Sequence, residues 1–386
     1  MIFANYAATS GKKPDSVNDA IIAYLSGNIH TNMGRQSLIQ GDDIVLETRI
    51  LLSEYFNYNN FRNVIFTSGI TMSLNMILLG LLHDNDHVIS TTMEHNSVLR
   101  PLNYLSQTKN VEISYMESDK NGNIDLSSLE KLIKPNTKLL VMTHASNVTG
   151  NILPIEKCFE IAKKHNLITV LDSAQTAGYL EIDMQNMNID ILAFTGHKNL
   201  LGLSGIGGFI VDKDAAKKMD TVFSGGTGSF SEMLTQPSYL PDKFEPGTRN
   251  MIGIVSLNAS IKYLNQTGFN KIIETGNSQI KYFCDKLQYL PVKIHGNAAP
   301  NKSVPVISVG FDNPNCDISN IADILADKYG IITRSGLHCA PLAHKSIGSY
   351  PTGTLRFSFG YDTTYEEMDK IIDALSNILT EKTIRQ

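Results

Sequence analysis

The sequence of 386 residues contains no tryptophan and has four cysteines, Cys158, Cys284, Cys316 and Cys339. They form no CxxC pair and no Cys/His cluster with the spacing of a zinc site, so we expect no structural metal. So few and so widely separated cysteines also exclude a disulfide framework, and reduced thiols are typical of the cytosol. We therefore predict a cytoplasmic protein without a bound metal.

Long apolar runs and a charge of one sign are also missing. The longest apolar run, at 76–82, is far too short to span a bilayer. The first 13 residues lack the basic start and apolar stretch of a signal peptide. Lys and Arg number 33 against 38 Asp and Glu, a net charge of −5. Without a polybasic surface we expect neither a nucleic acid nor a membrane as partner.

The composition is that of an ordinary globular protein, with 42% apolar and 18% charged residues. At about 150 residues per domain, the length predicts two or three domains. Seven short β-rich runs alternate with helix-length segments in the first two thirds, at 64–67, 87–90, 111–115, 139–142, 168–171, 191–194 and 208–211. This alternation predicts an α/β fold with a large, mostly parallel, seven-stranded sheet covered on both faces.

The pattern changes after the last of these runs. A Gly/Pro/Ser-rich stretch at 224–249 is typical of a functional loop, and 251–290 reads as one long helical region. Strands near 304–308 and 354–358 then alternate with helices near 318–328 and 364–379, which predicts a smaller α+β domain. We predict a large domain at 16–255 and a small domain at 256–386. Residues 1–15 would form a segment that joins the small domain or the active site.

Reactive residues follow three of the predicted strands. Asp172 ends the run at 168–171, and Lys198 follows the run at 191–194 after three residues. The run at 64–67 leads through Gly69 into a helix, whose free N–H groups and dipole suit a phosphate. An acid, a lysine and a phosphate cradle at one sheet edge are what pyridoxal 5'-phosphate (PLP) requires. Either residue alone would more often be a turn residue.

The residues around these positions carry a resemblance that spans nearly the whole chain. The sequence resembles the class V, fold type I PLP-dependent enzymes, in the branch of cysteine desulfurases and selenocysteine lyases. The matching stretches, in family order, are FTSGITMSLN (66–75), EHNS (94–97), SNVTGNILP (146–154), LDSAQTAG (171–178), TGHKNLLG (195–202), FEPGTRN (244–250), RSGLHCAPLAH (334–344) and GTLRFSFG (353–360).

The resemblance assigns roles to individual residues. It implies that Lys198 forms the Schiff base, Asp172 pairs with the pyridine nitrogen, and His95 stacks on the ring. It also implies further cofactor contacts from Gln175 at the phenolic oxygen, from Gly69, Ile70, Thr71, Thr195 and His197 at the phosphate, and from Thr248 of a second subunit. Asn147, beside the cofactor, and Arg356 are implied to hold the substrate carboxylate, which a guanidinium binds through two parallel hydrogen bonds.

Cys339 would decide the reaction. Its loop position and the resemblance imply a nucleophile that accepts sulfur as a persulfide, with His338 and Arg334 favouring the thiolate. We expect no papain-like His338–Cys339 dyad, because adjacent side chains of an extended segment point in opposite directions. Cys158, Cys284 and Cys316 lie outside any motif, and we interpret them as structural.

The resemblance implies a homodimeric cysteine desulfurase that converts L-cysteine, or a close analogue, to alanine and passes sulfur to an acceptor protein. The alternatives are a selenocysteine lyase, a cysteine-conjugate β-lyase, a class V aminotransferase, or a non-catalytic sulfur-relay partner. Three departures from the family pattern bear on the substrate. Asn5-Tyr6 replaces the usual Asp-Asn, Arg249 replaces a Pro and would add a charge near the phosphate, and Leu203 replaces another Pro.

Overall fold

A computed structural model describes residues 1–27, 44–311 and 317–384 of the chain. Its strands are β1 (Ile2–Phe3), β2 (Val64–Thr67), β3 (His87–Thr91), β4 (Glu112–Met116), β5 (Thr137–Thr143), β6 (Ile168–Asp172), β7 (Ile191–Thr195), β8 (Gly207–Val211), β9 (Val292–His295), β10 (Val306–Phe311), β11 (Ile331–Ile332), β12 (Arg334–Gly336) and β13 (Thr354–Ser358). Cys316, predicted to be structural, lies outside the described residues.

The helices connect and cover these strands. They are α1 (Asp15–Ser26), α2 (Ile44–Tyr55), α3 (Ile70–Leu81), α4 (Asn96–Lys109), α5 (Leu129–Leu132), α6 (Ile155–Lys164), α7 (Lys213–Lys218), α8 (Met251–Thr267), α9 (Phe269–Leu287), α10 (Ile318–Tyr329), α11 (Pro341–Ser346) and α12 (Tyr365–Ile384). Among the described residues, no helix is both long and apolar enough to cross a membrane.

The large sheet has the predicted seven strands, in the order β2-β8-β7-β6-β5-β3-β4. All its pairings are parallel except those of β8, which runs antiparallel to β2 and β7. The prediction of a mostly parallel sheet is confirmed. Its apolar side chains alternate between two cores: Leu192 and Phe194 face α2, α6 and α8, while Ile191 and Ala193 face α3, α4 and α7. Burial on both faces explains the continuous apolar runs.

A second, smaller unit contains a four-stranded antiparallel sheet in the order β12-β13-β10-β9. Its core packs against α9, α10 and α12. The N-terminal strand β1 pairs with β11, so the chain begins against this smaller unit. The smaller antiparallel domain is confirmed, whereas the exact boundaries at residues 15 and 255 stay a prediction.

The prediction of one helix over 251–290 is wrong. The chain forms two helices, α8 and α9, separated by Gly268, whose φ of +78° is a conformation that glycine adopts without steric cost. The Gly268 N–H still donates to the carbonyl of Leu264, and this bond ends α8. The apolar periodicity continues through the break, and for that reason the pattern alone concealed it.

Candidate active site

The carboxyl ends of the parallel strands bring the predicted residues to one edge of the large sheet. Asp172 is the last residue of β6 and lies in register with Thr143 of β5 and Ala193 of β7. Lys198 follows β7 after two residues, Gly196 and His197. Burial lowers the pKa of Lys198 to about 8, against the opposite effect of Asp172. Arg356, Arg334 and Cys339 also lie close enough to affect this pKa.

Asp172 is a buried acid. Its Oδ1 accepts the N–H of Ala174 at 2.9 Å, and the residue is 1% exposed. Burial raises its pKa, while the Ala174 N–H and the Lys198 charge act in the opposite direction. A buried carboxyl beside an ammonium group is suited to hold a proton on a ring nitrogen, because a positive partner would stabilise its charged form.

His95 lies at the N-terminus of α4, where its Nδ1 accepts the N–H of Ser97 at 3.0 Å. Burial lowers the pKa of His95 to about 4, and the Lys198 charge adds to the effect. The ring is therefore neutral at neutral pH, and because Nδ1 accepts, its proton lies on Nε2. The cap fixes the ring at the edge that carries Asp172 and Lys198.

The turn between β2 and α3 has the form of a phosphate cradle. Gly69 precedes α3 with a φ of +150°. The backbone of Gly207 passes so close that a Cβ on Gly207 would lie 2.7 Å from the Cα of Gly69. A Cβ at Gly69 would lie 3.6 Å from Oγ1 of Thr195, so the two predicted phosphate contacts adjoin. Ile70 and Thr71 open α3, and first-turn N–H groups have no acceptor within a helix.

The N-terminal segment contacts the turn that carries Lys198, through residues that the sequence analysis did not name individually. The carbonyl of His197 accepts the N–H of Ser10 at 2.8 Å and the hydroxyl of Thr9 at 3.1 Å. Lys13 reaches the same carbonyl, and burial lowers the Lys13 pKa to about 8. The His197 ring contacts Oγ1 of Thr9, and burial lowers its pKa to about 4. The departure from the family pattern at residues 5–6 was the available signal.

Gln175 is linked to the same segment. Its Nε2 donates to the carbonyl of Ala7 at 3.1 Å, and its own carbonyl accepts Nδ2 of Asn199, the residue after Lys198. The predicted cofactor contact of Gln175 therefore lies between the N-terminal segment and the Lys198 turn.

Arg356 is 1% exposed and lies in the central region of β13. Its Nη1 donates to the carbonyl of Asn147 at 2.8 Å and its Nη2 to Oδ1 of Asn5 at 3.0 Å, while Nε has no hydrogen-bond partner among the described residues. Burial lowers the Arg356 pKa to about 9, and the Arg334 charge adds to this. The two residues predicted to hold a carboxylate are thus in contact.

The loop that carries Cys339 is not extended. His338 and Cys339 both have positive φ, +47° and +58°, so the reason given above against a dyad is wrong. The two side chains nevertheless diverge: Nε2 of His338 contacts Oγ1 of Thr354 at 3.0 Å, and Sγ of Cys339 accepts Nη2 of Arg334 at 3.3 Å. The loop is held to the start of α4, where the N–H of Asn96 donates to the Cys339 carbonyl at 2.7 Å.

The predicted electrostatic role of His338 is also wrong. Burial, with a contribution from Arg356, keeps the pKa of His338 well below its usual range, so the ring carries no charge at neutral pH. Arg334 is the cation in contact with the sulfur. His338 instead supports the site through its carbonyl, which accepts Nδ2 of Asn147 at 2.7 Å.

The other described cysteines lie elsewhere. Cys158 lies on the buried face of α6, and the thiol of Cys284 donates to the carbonyl of Ala298. Burial raises the pKa of each to about 12, so both remain thiols at neutral pH. Their interpretation as structural stays a prediction.

Thr248 and Arg249 lie in a separate cavity of about 230 Å³ beside the start of α3, with Ser68 and Met72 of their own chain. The predicted contact of Thr248 with the phosphate of a second subunit stays a prediction. Arg249 does not present a free charge, because its Nε donates to Oε2 of Glu245 at 2.9 Å.

These residues fit PLP. The edge presents a lysine whose ammonium is destabilised by burial, a buried acid, a neutral imidazole, a helix N-terminus behind a glycine, and a buried guanidinium whose Nε has no hydrogen-bond partner in the part of the chain that the structure describes. Lys198 would carry the aldehyde carbon, Asp172 the ring nitrogen and the Gly69 turn the phosphate. The site is that of a fold type I PLP-dependent enzyme.

Comparison with known proteins identifies the family. The family model "Aminotransferase class-V" matches residues 2–371, and the chain belongs to this PLP-dependent family. A probable cysteine desulfurase of Pyrococcus abyssi is 31% identical, with 98% of this chain and 94% of that protein covered. A probable cysteine desulfurase of Ureaplasma parvum is 32% identical, with 97% of this chain and 93% of that protein covered.

Solved structures agree with this assignment. The apo structure of a cysteine desulfurase from Thermococcus onnurineus NA1 superposes with a TM-score of 0.88 at 30% identity, covering 98% of this chain and 95% of that one. The structure of the cysteine desulfurase CsdA of Escherichia coli superposes with a TM-score of 0.86 at 26% identity, covering 98% of this chain and 94% of that one. The fold, the family and the cofactor class expected from the sequence are confirmed.

Proposed function

We propose that this protein is a PLP-dependent cysteine desulfurase that converts L-cysteine to L-alanine and collects the sulfur as a persulfide on Cys339. The observation that carries the proposal is the position of Cys339. Its sulfur is held by Arg334, and the residue lies close enough to Lys198 to affect the lysine pKa. An aminotransferase would need no thiol at this point.

The chain's residues divide the work of binding and proton transfer. Arg356, whose guanidinium is buried, would bind the substrate carboxylate, with Asn147 beside it. Lys198 would remove the Cα proton, since burial lowers the pKa of its amine to about 8, near the pH at which a general base works. PLP, when bound, supplies an electron sink for the pair left at Cα. Asp172 would hold the proton on the ring nitrogen of PLP, and His95 would cover the face of that ring.

Sulfur transfer then balances without an external oxidant. The Cys339 thiolate attacks the substrate sulfur, a new S–S bond forms, and the Cβ–S bond breaks with its electron pair remaining on carbon. A proton on that carbon completes alanine, and Cys339 is left as the persulfide. Two equivalents of an acceptor thiol restore Cys339, release sulfide and become a disulfide.

The protein's partners and compartment are part of the same proposal. We place a homodimer at the face formed by Thr248 and the start of α3, because the 221–243 segment beside it exposes Phe223, Phe230, Met233 and Leu234. A sulfur-acceptor protein would approach Cys339. The cytoplasm suits a chain whose described cysteines are free thiols.

Product analysis tests the proposal. The purified protein, reconstituted with PLP, is incubated with L-cysteine and dithiothreitol. Equal amounts of alanine and sulfide are expected, and Cys339→Ala should abolish both while it retains the visible absorbance of bound cofactor. Cys284→Ala is the matched control and should behave as wild type. Pyruvate and ammonia as products, or a persulfide on Cys284, would contradict the proposal.

A further inference from the structure

Glu94 is a fully buried acid. It directly precedes His95, the residue proposed to cover the PLP ring. Glu94 is 0% exposed. Its Oε1 accepts two hydrogen bonds, from the hydroxyl of Thr91 at 2.6 Å and from the N–H of Thr143 at 2.9 Å. Its Oε2 has no hydrogen-bond partner among the described residues. The two bonds join the turn after β3 to the end of β5.

The electrostatic surroundings of Glu94 disfavour a negative charge. Thr143, which holds Oε1, lies in register with Asp172, and Asp172 is the charged group that acts on Glu94. Tyr115 of β4 lies close enough to Glu94 for Glu94 to raise its pKa, in addition to the larger effect of burial. Burial raises the pKa of Glu94 to about 8; the hydrogen bonds from Thr91 and Thr143 oppose the shift, and Asp172 adds to it.

Two buried acids at one edge cannot both ionise at low cost. Asp172 has a cation near it in Lys198, and a bound PLP ring would add a second. Glu94 has an acid and a phenol instead. Burial raises the pKa of Asp172 as well, but the positive charges beside Asp172 offset this effect, so with PLP bound the proton belongs on Glu94.

We propose that Glu94 is a positioning residue of the cofactor site, which acts as a protonated acid to hold the His95 turn against the end of β5 and leaves Asp172 as the single carboxylate there. The proposal deepens the proposed function and rests on it only for the presence of PLP. It does not depend on which amino acid is the substrate.

Two substitutions separate the parts of this role. Glu94→Gln keeps the size, the neutral charge and an oxygen for Thr91 and Thr143, and it should leave the Kd for PLP within about twofold of wild type. Glu94→Ala removes the acceptor that joins the His95 turn to the Thr143 N–H, so His95 is no longer held in place and the Kd should rise roughly tenfold or more. Both values come from titration of the cofactor-free protein with PLP, monitored by absorbance.

A stability measurement tests the protonation state without cofactor or substrate. Between pH 5 and 8 the folded protein holds the Glu94 proton and the unfolded chain does not, so wild-type stability should fall relative to Glu94→Gln as pH rises. The ratio of their unfolding constants should change by up to about tenfold per pH unit. Above the folded pKa the difference should level off.

Glu245→Gln is the matched control, because Glu245 is an equally buried acid but is paired with Arg49. It should destabilise the protein at pH 7, in contrast to Glu94→Gln. Parallel pH curves for wild type and Glu94→Gln, or a Glu94→Gln protein as weak in PLP binding as Glu94→Ala, would overturn the proposal. If Glu94→Ala fails to fold, the pH comparison of the other two proteins still decides it. A failure to turn over L-cysteine would affect only the proposed function.

Discussion

Nη2 of Arg334, in β12, donates a hydrogen bond at 3.3 Å to Sγ of Cys339, which lies in the four-residue loop between β12 and α11. The loop between them turns through two consecutive residues with positive φ, His338 and Cys339. This turn directs the imidazole to Thr354 and the sulfur to the guanidinium. The loop geometry therefore decides which neighbour acts on the reactive atom.

Removal of that guanidinium should slow the thiol chemistry of Cys339. For Arg334→Gln we expect the alkylation rate of Cys339 by iodoacetamide at pH 7 to fall several-fold, because the sulfur loses the positively charged donor that contacts it at 3.3 Å. Arg334→Lys should retain part of the rate. The measurement is mass spectrometry of the Cys339 peptide over time. An unchanged rate in Arg334→Gln would show that the contact has no effect on reactivity.

Asn5 occupies the position where relatives of this family usually have Asp, and its Oδ1 accepts Nη2 of Arg356 at 3.0 Å. Asn5→Asp would give the buried guanidinium an anionic partner that competes with a substrate carboxylate. We expect the KM for L-cysteine to rise several-fold with little change in kcat, and the Tm to increase. Steady-state kinetics and thermal melts measure both. Asn5→Ala, which removes the contact, is the control and should lower the Tm.

The pKa of Lys198 predicts how the cofactor is captured. Only the neutral amine attacks the PLP aldehyde, and burial lowers the pKa of this lysine to about 8 in the cofactor-free protein. The capture rate should therefore rise nearly tenfold per unit from pH 6 to 7 and level off above pH 8. Stopped-flow absorbance gives the rate, with Lys198→Ala as the blank. A rate that still rises tenfold from pH 9 to 10 would contradict the shift.

The lowered pKa of Lys198 also determines how the stability of the folded protein changes with pH. The folded pKa of Lys198 is depressed below that of the unfolded chain, so the folded state binds fewer protons between about pH 8 and 10.5. In this range Lys198 makes the free energy of unfolding rise with pH. Below pH 8 the lysine is an ammonium in both states, and its burial lowers the free energy of unfolding by a constant amount. Lys198→Met should therefore stabilise the cofactor-free protein at pH 7, and its advantage should shrink toward pH 10. Urea unfolding at the two pH values measures this.

Most of the large sheet was predictable because its strands are buried on both faces. Ile191–Thr195 and Val64–Thr67 read as short continuous apolar runs, and the residues that follow such strands meet at one edge. Asp172 and Lys198 come together for this reason alone.

The rest of the site depends on contacts between distant parts of the chain. The bond from Thr9 to the His197 carbonyl spans 188 residues, and the bond from Asn5 to Arg356 spans 351. No local pattern encodes such pairs. The left-handed turn at His338 and Cys339 contains no glycine at either position, so the sequence does not indicate it. Glu94 precedes a recognisable histidine but belongs to no motif that would indicate its role.

Glu245 offers a last test, which concerns a buried ion pair. Its carboxylate accepts two hydrogen bonds at 2.7 Å from Nη2 of Arg49, and it also accepts the Phe66 N–H and Nε of Arg249. Arg49 and Glu245 are each 5% exposed. Glu245→Ala leaves the Arg49 charge buried without this partner, so we expect a loss of about 3–5 kcal/mol in the free energy of unfolding.

Two further variants show whether that loss comes from the uncompensated charge. Arg249→Ala removes the less buried of the two arginines and should cost about 1 kcal/mol or less, since Arg49 still balances the carboxylate. The double change Arg49→Met with Glu245→Leu removes both buried charges and should recover most of the loss caused by Glu245→Ala. Urea unfolding of the cofactor-free proteins at pH 7 gives the three values. If the double variant is as unstable as Glu245→Ala, the hydrogen bonds to Phe66 and Arg249 hold this region together and the ion pair does not.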